Sequence, residues 1–190
     1  IIFQPEIRRA LEQIGRGKLF QRTNNQQDDE QTRLIEAVKK SVSYMAKRRI
    51  GALISIEKDT GLNEYVETGI KMDAALSSEL LINIFIPNTP MHDGAVIIQK
   101  NQISASACYL PLSESAFISK ELGTRHRAAL GLSEVTDAIT IVVSEETGAI
   151  SITANGTLHR NLTSQEFEEL LRNLWFGEWQ EVNASSKWTW

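Results

Sequence analysis

Five short apolar segments constrain the fold of this chain more than any other feature of its sequence. Each has the length and the β-branched content of a buried strand. They cover residues 51–57, 94–99, 103–109, 138–144 and 149–155. Lys100 and Asn101 separate the second segment from the third, and the tetrapeptide EETG separates the last two, so both pairs are predicted to be hairpins. Because too few helical segments lie between the strands for an all-parallel sheet, the sequence predicts an α/β fold: one domain with a mixed, twisted β-sheet flanked by helices.

Helical patterns lie on both sides of these strands. Pro5 and Gly15 delimit a predicted first helix, and residues 22–31, which contain no apolar side chain, are predicted to be a polar loop. A long helix is then expected to about Arg49, and a short helical segment over residues 77–87. The core-facing side chains of the long helix are predicted to be Leu34, Ile35, Val38, Val42 and Met45.

The end of the chain carries a clear helix signal. Thr163 and Glu166 have the spacing of a capping box, which predicts a final helix to about Phe176. We expect one domain over residues 1–178, in which residues 1–28 form the leading helix and the polar loop, and a tryptophan-containing tail over residues 179–190. The apolar start, which lacks methionine, indicates a fragment of a longer protein, with a membrane segment expected before it.

Charge and motif content exclude several functions. The formal net charge is −4 and the pI is near 5.5, so no basic surface indicates a nucleic acid or an anionic lipid as the main partner. Cys108 is the only cysteine, which excludes an internal disulfide, and its apolar surroundings predict a buried thiol. The sequence motifs of P-loop, dinucleotide-binding, zinc-protease and serine-hydrolase proteins are absent.

An unusual basic cluster lies in the segment ELGTRHRAALGL, residues 121–132. Arg125, His126 and Arg127 are predicted to occupy the first turn of a short helix that Gly131 ends. Cations are unfavourable there by a few tenths of a kcal/mol each, because the backbone N–H groups already make a helix N-terminus partly positive. A bound polyanion would reverse this cost, and a glycine and a threonine hydroxyl just before the cluster suit its close approach.

The simpler alternative is that Arg125 and Arg127 form ion pairs with surface carboxylates such as Glu121 or Glu134. The sequence alone does not separate this alternative from an anion site. Glu145 and Glu146, which end another apolar segment, are likewise either metal ligands or solvated hairpin carboxylates.

A second polar cluster precedes the strand of residues 94–99. His92 and Asp93 follow two prolines and stand before Gly94 and Ala95, so an acidic side chain is predicted to face an open site with little bulk around it. A carboxylate there suits a divalent cation or the proton of an attacking hydroxyl. The alternative is an Asx-turn before a strand.

Together these two clusters carry a resemblance. DGA at 93–95 and RHR at 125–127, about thirty residues apart, resemble the motifs of the diadenylate cyclase (DAC) domain. The similarity extends through MHDGAVII and LGTRHRAALGLSE and covers roughly residues 30–177. The leading IFQPEIRRALEQIGRG further resembles the membrane-anchored subfamily, in which transmembrane helices precede the catalytic domain.

The resemblance implies an activity and an assembly. Members condense two ATP into cyclic di-AMP with release of two pyrophosphates, each 3′-hydroxyl attacking the α-phosphate of the other nucleotide. It implies a homodimer with facing active sites, at the cytoplasmic face of the bacterial membrane, with regulatory protein partners. A non-catalytic nucleotide sensor is the alternative function, and the intact DGA motif disfavours it.

The resemblance also implies roles for individual residues. Asp93 and His126 are expected to be catalytic. The residues expected to bind the nucleotide are Gly94, Ala95, Tyr109, Leu110, Gly123, Thr124, Arg125, His126 and Arg127. Asp93, Glu146 and His92, with Glu145 less securely, are expected to hold Mn²⁺ or Mg²⁺. Tyr109 is the candidate for stacking on adenine; a core aromatic at a strand end is its alternative.

Overall fold

The computed structural model describes residues 18–115 and 118–177, with side chains from residue 26 onward. The predicted first helix over residues 5–15 and the tail over 179–190 lie outside the described residues. The chain divides into two compact units, Ile1–Leu34 and Ile35–Trp190. The second unit contains the sheet and every predicted site residue.

A seven-stranded mixed sheet organises the second unit, as predicted. Its order is β2-β4-β3-β1-β5-β6-β7. Among the described strands β1 and β3 form a parallel pair, and all other neighbours are antiparallel. The strands are β1 (Ala52–Ile56), β2 (Ile70–Ala75), β3 (Ala95–Gln99), β4 (Gln102–Cys108), β5 (Ile139–Val143), β6 (Ile150–Ala154) and β7 (Thr157–His159). The two predicted hairpins are confirmed as β3–β4 and β5–β6.

The sequence did not predict the two edge strands, β2 and β7. Neither β2 nor β7 is an apolar segment, because both have one neighbour and keep many side chains in solvent. Hydrophobic patterning identifies strands through their buried faces, and therefore misses exposed edges.

Five helices accompany the sheet in the described part of the chain. They are α1 (Lys18–Arg48), α2 (Asn63–Val66), α3 (Ser78–Ile84), α4 (Thr124–Val135) and α5 (Ser164–Phe176). The capping box of α5 is confirmed: the Glu166 N–H donates to the Thr163 hydroxyl, and the Thr163 N–H donates to the Glu166 carboxylate. None of the described helices combines the length and the apolar character that a membrane span requires.

The predicted polar loop over residues 22–31 is wrong, because α1 runs through it. No glycine or proline interrupts Lys18–Arg48, and glutamine, glutamate and arginine are good helix formers. A helical segment with no apolar face has the same hydrophobic pattern as a loop. The predicted end at about Arg49 is confirmed: Arg49 has a φ of 54°, and the Ile50 N–H donates to the Met45 carbonyl at 2.9 Å.

Apolar side chains cover both faces of the sheet. The predicted stripe of α1 is buried, including Ile35, Val38, Val42 and Met45. A separate cluster joins strand residues such as Leu53, Ile97 and Val142 to Ala129 and Leu132 of α4. Cys108 belongs to this cluster, and burial raises its thiol pKa to about 11, so the predicted buried thiol is confirmed.

The prediction that Gly131 ends α4 is wrong. The helix continues to Val135, and Gly131 lies inside it against the segment that follows β4. An added Cβ at Gly131 would lie 2.0 Å from the Pro111 carbonyl oxygen and 2.7 Å from the Ser113 nitrogen. The Ser113 N–H donates to the Arg127 carbonyl at 2.9 Å, so backbone packs directly on backbone here. The glycine therefore permits a close approach and does not stop the helix.

We predict that Gly131→Ala destabilises the chain. Alanine gains about 1 kcal/mol in helix propensity, but the collision is with fixed backbone and overpacking costs about 1–3 kcal/mol. Because a contact at 2.0 Å lies at the severe end of that range, the net loss is about 2 kcal/mol, which lowers the melting temperature by about 4–8 °C for a domain of this size. Gly61→Ala is the control, because its added methyl would meet nothing within 4 Å. An unchanged melting temperature in Gly131→Ala would contradict the close packing.

Candidate active site

Strand pairing brings the separate polar clusters of the sequence to one edge of the sheet. β1 starts where the parallel β3 starts and where the antiparallel β5 ends, since Ala52 pairs with Val143. β4 ends there too, since Ala95 pairs with Cys108. The residues at these strand ends, which we call the site edge, are Gly51, Asp93, Gly94, Tyr109, Ser144, Glu145 and Glu146.

Helix α4 begins at this edge, with its cations in the first turn as predicted. The helix contacts β1, β5, β6 and β7. Gly123 is its N-cap residue in an extended conformation, and no side chain caps the helix. Thr124 is already the first helical residue, so its hydroxyl does not cap the helix and lies at the cavity instead. Among the described residues no side chain accepts a hydrogen bond from the backbone donors of the first turn, which leaves them available to a ligand.

A cavity of about 610 Å³ opens in front of the helix start. Three groups of residues line it: the start of α4, the turn between β5 and β6, and two residues after β7. The lining includes Glu121, Gly123, Thr124, Arg125, His126, Ser144, Glu145, Glu146, Ser151, Arg160 and Asn161. Arg127, which was expected to bind phosphate, does not line it, and neither do Asp93 or Tyr109.

Arg125 is held in this cavity by two contacts. Its Nη1 donates to Glu145 Oε2 at 2.9 Å, and its guanidinium lies against Gly51. The surface ion pair of the simpler alternative is thus confirmed for Arg125, with Glu145 as its partner, whereas Arg127 forms no ion pair among the described residues. Glu134 instead accepts a hydrogen bond from the Ser113 hydroxyl. An ion pair with a mostly exposed carboxylate is worth about 0–1 kcal/mol. A polyanionic ligand can therefore displace Glu145 at little cost.

His126 does not act as a third cation. It is buried, and burial lowers its pKa, with Arg160 and Arg125 lowering it further. A neutral imidazole carries one N–H donor and one acceptor nitrogen. The basic triplet thus supplies the cavity with one guanidinium group, that of Arg125, and a neutral ring that is able to donate a hydrogen bond.

The entrance to β3 has the open geometry expected of it. Asp93 is exposed, and its carboxylate accepts no hydrogen bond from the described residues, so the Asx-turn alternative is wrong. Gly94 has a φ of +122°, and an added Cβ would lie 2.7 Å from the backbone of Ala107. A side chain is excluded there both by conformation and by space. The Nδ1–H of His92 donates to the Thr89 carbonyl at 2.6 Å, which leaves Nε2 free of that contact.

Tyr109 is a surface residue and not a core aromatic, so that alternative is wrong. Its side chain is 73% exposed. Its backbone N–H donates to the Thr68 hydroxyl at 2.9 Å, which fixes the chain where β4 ends. Leu110 packs against the buried cluster that joins the central strands to Ala129 and Leu132 of α4. An exposed ring on a fixed backbone can stack on a planar ligand.

The predicted metal ligands are not assembled into one cluster. Among the described residues no group of three or more histidine, cysteine, aspartate or glutamate side chains could hold a metal ion. Glu146 lines the cavity after β5, whereas His92 and Asp93 lie two strands away, about 10 Å along the sheet. A metal here would need ligands beyond these three side chains.

Three site residues were missed by the sequence analysis. Gly51 precedes an apolar strand, and a glycine at that position does not by itself indicate a binding site. Arg160 and Asn161 follow β7, a short edge strand that the sequence did not predict. The pattern NGTLHRN contains no recognisable motif. Their relevance comes from the tertiary contacts alone.

Comparison with known proteins agrees with this geometry. The family model described as DAC, DisA bacterial checkpoint controller nucleotide-binding, matches residues 39–158, which is more than half of the chain and includes both motifs. The chain belongs to the DAC family of diadenylate cyclases.

Relatives of this family are similar over most of the chain. The Bacillus subtilis protein named cyclic di-AMP synthase CdaA is 61% identical over 190 residues, all of this chain and 69% of the relative. A Listeria monocytogenes diadenylate cyclase is 64% identical over 171 residues, 90% of this chain and 63% of the relative. The chain thus spans about two thirds of the length of these relatives.

Solved structures show the same fold. A crystal structure of DacA from Staphylococcus aureus, a variant with two introduced cysteines, matches with a TM-score of 0.76 and 62% identity over 80% of this chain and 99% of that one. A Bacillus cereus structure, titled as a hypothetical membrane spanning protein, matches with a TM-score of 0.65 and 43% identity over 67% of this chain and 63% of that one.

We predict that Gly51→Ala weakens ATP binding without destabilising the fold. The added Cβ would lie 2.7 Å from Nη1 of Arg125, 2.8 Å from its Cζ and 3.1 Å from Cβ of Glu145, the exposed partner of that arginine. The flexible end of an arginine moves aside easily, so folding is spared while the guanidinium leaves its position. Loss of one charged hydrogen bond worth about 1.5–3 kcal/mol weakens ATP binding roughly tenfold to hundredfold.

A double-mutant cycle of ATP-binding free energies, measured by calorimetry, tests whether Gly51 acts through Arg125. Arg125→Ala should weaken ATP binding by a similar factor, and Gly51→Ala should add little in the Arg125→Ala background. Gly61→Ala again serves as the control glycine. Additive effects of the two substitutions would show that Gly51 acts independently of Arg125.

Proposed function

We propose that this chain condenses two ATP into cyclic di-AMP and two pyrophosphates. Each 3′-hydroxyl attacks the α-phosphate of the ATP held by a facing protomer. The new P–O bond forms as the bond to the leaving pyrophosphate breaks, and the hydroxyl proton goes to a base. The observation that carries the proposal is that one sheet edge presents an exposed Asp93 and the uncapped, cationic start of α4.

The phosphate half of the reaction belongs to the cavity at the start of α4. The uncapped N–H groups, the helix dipole and the Arg125 guanidinium converge on it. Together they neutralise charge on the α-phosphate and on the departing pyrophosphate. Neutral His126 donates a hydrogen bond to a phosphate oxygen. Arg127 lies outside the cavity, so it would act on the nucleotide of the opposite protomer.

The nucleoside half belongs to the ends of β3 and β4. The exposed ring of Tyr109 stacks on adenine, with Leu110 beside it, and the backbone at Gly94 borders the ribose. Ala95 is fully buried, so its side chain does not contact the nucleotide. β4 and β5 are three positions apart in the sheet, about 14 Å. The nucleotide therefore lies along the site edge, with its base near Tyr109 and its phosphates near Arg125.

Asp93 acts on the attacking hydroxyl. Its carboxylate is exposed and accepts no hydrogen bond from the described residues, so it is free to accept the 3′-hydroxyl proton or to orient that group. Because Asp93 lies outside the phosphate cavity of its own chain, it serves best when a second copy presents a phosphate to it. The two-fold symmetry of the product requires two such copies in an isologous contact.

The residues of the site edge suit Mn²⁺ or Mg²⁺. Such ions are commonly bound through one or two carboxylates together with substrate phosphates, so a cluster of three side chains is not needed. Asp93 and His92 would hold the ion from the β3 side, and Glu146 of a facing protomer would complete its shell, because about 10 Å separates these residues within one chain. The ion, when bound, neutralises charge on phosphate oxygens.

We also propose that the chain is the catalytic part of a membrane-anchored protein. Its relatives are longer, and one structural relative is titled a membrane spanning protein. Anchoring would place the active site at the cytoplasmic face of the bacterial membrane, where regulatory protein partners would act on it.

We predict that Asp93→Asn abolishes product formation while ATP still binds. The amide keeps the shape of the side chain but cannot accept the proton, so the rate falls by about 10²–10⁴-fold, the usual contribution of a general base. Cyclic di-AMP is measured by mass spectrometry after incubation with ATP and Mn²⁺. Asp59→Asn, an exposed aspartate beyond the opposite end of β1, is the control. Product formed at the parental rate would remove Asp93 from the mechanism.

We predict that the rate per chain rises with protein concentration. Two protomers must meet to close the ring, whereas each binds its own ATP, so product formation is of higher than first order in protein while nucleotide bound per chain stays constant. The rate is followed over a hundredfold dilution series, and binding is followed with 3′-deoxy-ATP, which lacks the attacking hydroxyl. A rate per chain that is constant down to concentrations at which sedimentation shows monomers would contradict the facing arrangement.

A further inference from the structure

Arg160 is a cation of the phosphate cavity that no motif includes. It lines the cavity together with the start of α4 and the turn after β5. Among the residues that the structure describes, its guanidinium forms no ion pair within 4.0 Å, although Glu121, Glu145 and Glu146 line the same cavity. Glu145 is already paired with Arg125 at 2.9 Å. Arg160 therefore brings to the cavity a charge that no carboxylate in the described part of the chain pairs with.

The position of Arg160 is built into the sheet. Just before it, His159 pairs with Ile152 of β6. Just after Asn161, the Leu162 N–H donates to the Ile150 carbonyl at 2.9 Å. The two-residue connection is thus tied to β6 on both sides, and Asn161 turns the chain with a φ of 54°. The Arg160 backbone is held next to the cavity, so the entropy lost on binding an anion is mainly that of its side chain.

The order of the strands indicates which part of the nucleotide Arg160 meets. Tyr109 follows β4 and Arg160 follows β7, at opposite ends of the series β4-β3-β1-β5-β6-β7. Arg125, which contacts Gly51 before β1 and Glu145 after β5, lies between them. A nucleotide whose base is at Tyr109 reaches Arg125 first and Arg160 last.

We infer that Arg160 binds the terminal phosphates of the triphosphate and stabilises the negative charge of the departing pyrophosphate. This inference rests on the proposed function. A guanidinium is suited to the role, because its forked donors bind two phosphate oxygens at once and its charge does not depend on pH. Arg160 is a binding residue for the leaving group, whereas Arg125 and the helix start bind nearer to the reacting phosphorus.

The experiment compares three nucleotides that cannot react: 3′-deoxy-ATP, 3′-deoxy-ADP and 3′-deoxy-AMP, each titrated with Mn²⁺ by calorimetry. In the unmodified chain, affinity should rise with each added phosphate. Arg160→Ala should weaken binding of the triphosphate roughly tenfold to hundredfold, as expected for one charged hydrogen-bonding contact. Binding of the monophosphate should stay within about twofold, because the monophosphate does not reach Arg160.

Two further variants make the result specific. Arg160→Lys keeps the positive charge but loses the forked pair of N–H donors, and should retain part of the preference for the triphosphate. Arg172→Ala, on α5 and paired with Glu168 at 3.7 Å, removes the same charge outside the cavity and should change none of the three affinities. Melting temperatures establish that each variant is folded, and Arg160→Gln replaces the alanine variant if that variant is not.

The outcomes separate the two proposals. If the folded Arg160 variant prefers the triphosphate as strongly as the unmodified chain does, the role of Arg160 is wrong and the proposed function stands. An equal loss for all three nucleotides would also overturn it, because Arg160 would then act on the shape of the whole site. If the unmodified chain binds the three nucleotides equally, the proposed function itself fails.

Discussion

The structure depends on a helix that begins with cations and without a cap. Any N-terminal turn exposes backbone donors, and most helices satisfy some of them with a serine, threonine or aspartate at the N-cap. Here Gly123 occupies that position, and Arg125 follows in the first turn. With glycine at the N-cap the protein forgoes a few tenths of a kcal/mol, and it accepts an unfavourable cation as well. Both choices become favourable when a polyphosphate supplies the missing acceptors and the missing negative charge.

The surroundings of Arg125 keep it ready for that anion. Gly51 leaves room for the guanidinium at the start of β1, and Glu145 holds it with an exposed ion pair at 2.9 Å. Such a pair is weak enough to exchange for phosphate and directional enough to position the side chain before the ligand arrives. His126, buried and kept neutral, adds a donor without adding to the repulsion.

The mixed sheet explains how one edge serves both halves of a nucleotide. Because β1 and β3 are parallel while β4 and β5 are antiparallel to them, two strand starts and two strand ends meet at the same edge. An all-parallel sheet would collect only ends of one kind there. The loops at that edge therefore come from distant parts of the sequence, and the acidic and cationic groups lie apart along one surface. That separation suits a reaction in which one chain's hydroxyl meets another chain's phosphate.

The sequence by itself determined the central strands, both hairpins, the capping box of α5 and the basic first turn of α4, because each depends on local periodicity or on a short motif. It also identified the family, through DGA and RHR. The prediction of a loop over residues 22–31 was wrong, because a helix without an apolar face has no hydrophobic pattern. The prediction that Gly131 ends α4 was also wrong, because a glycine is needed there for a backbone oxygen that lies 2.0 Å from where a Cβ would be. Only the tertiary structure decided the partners of Arg125, the exposure of Tyr109 and the place of Arg160, since each follows from strand order and register, which bring together residues far apart in the chain.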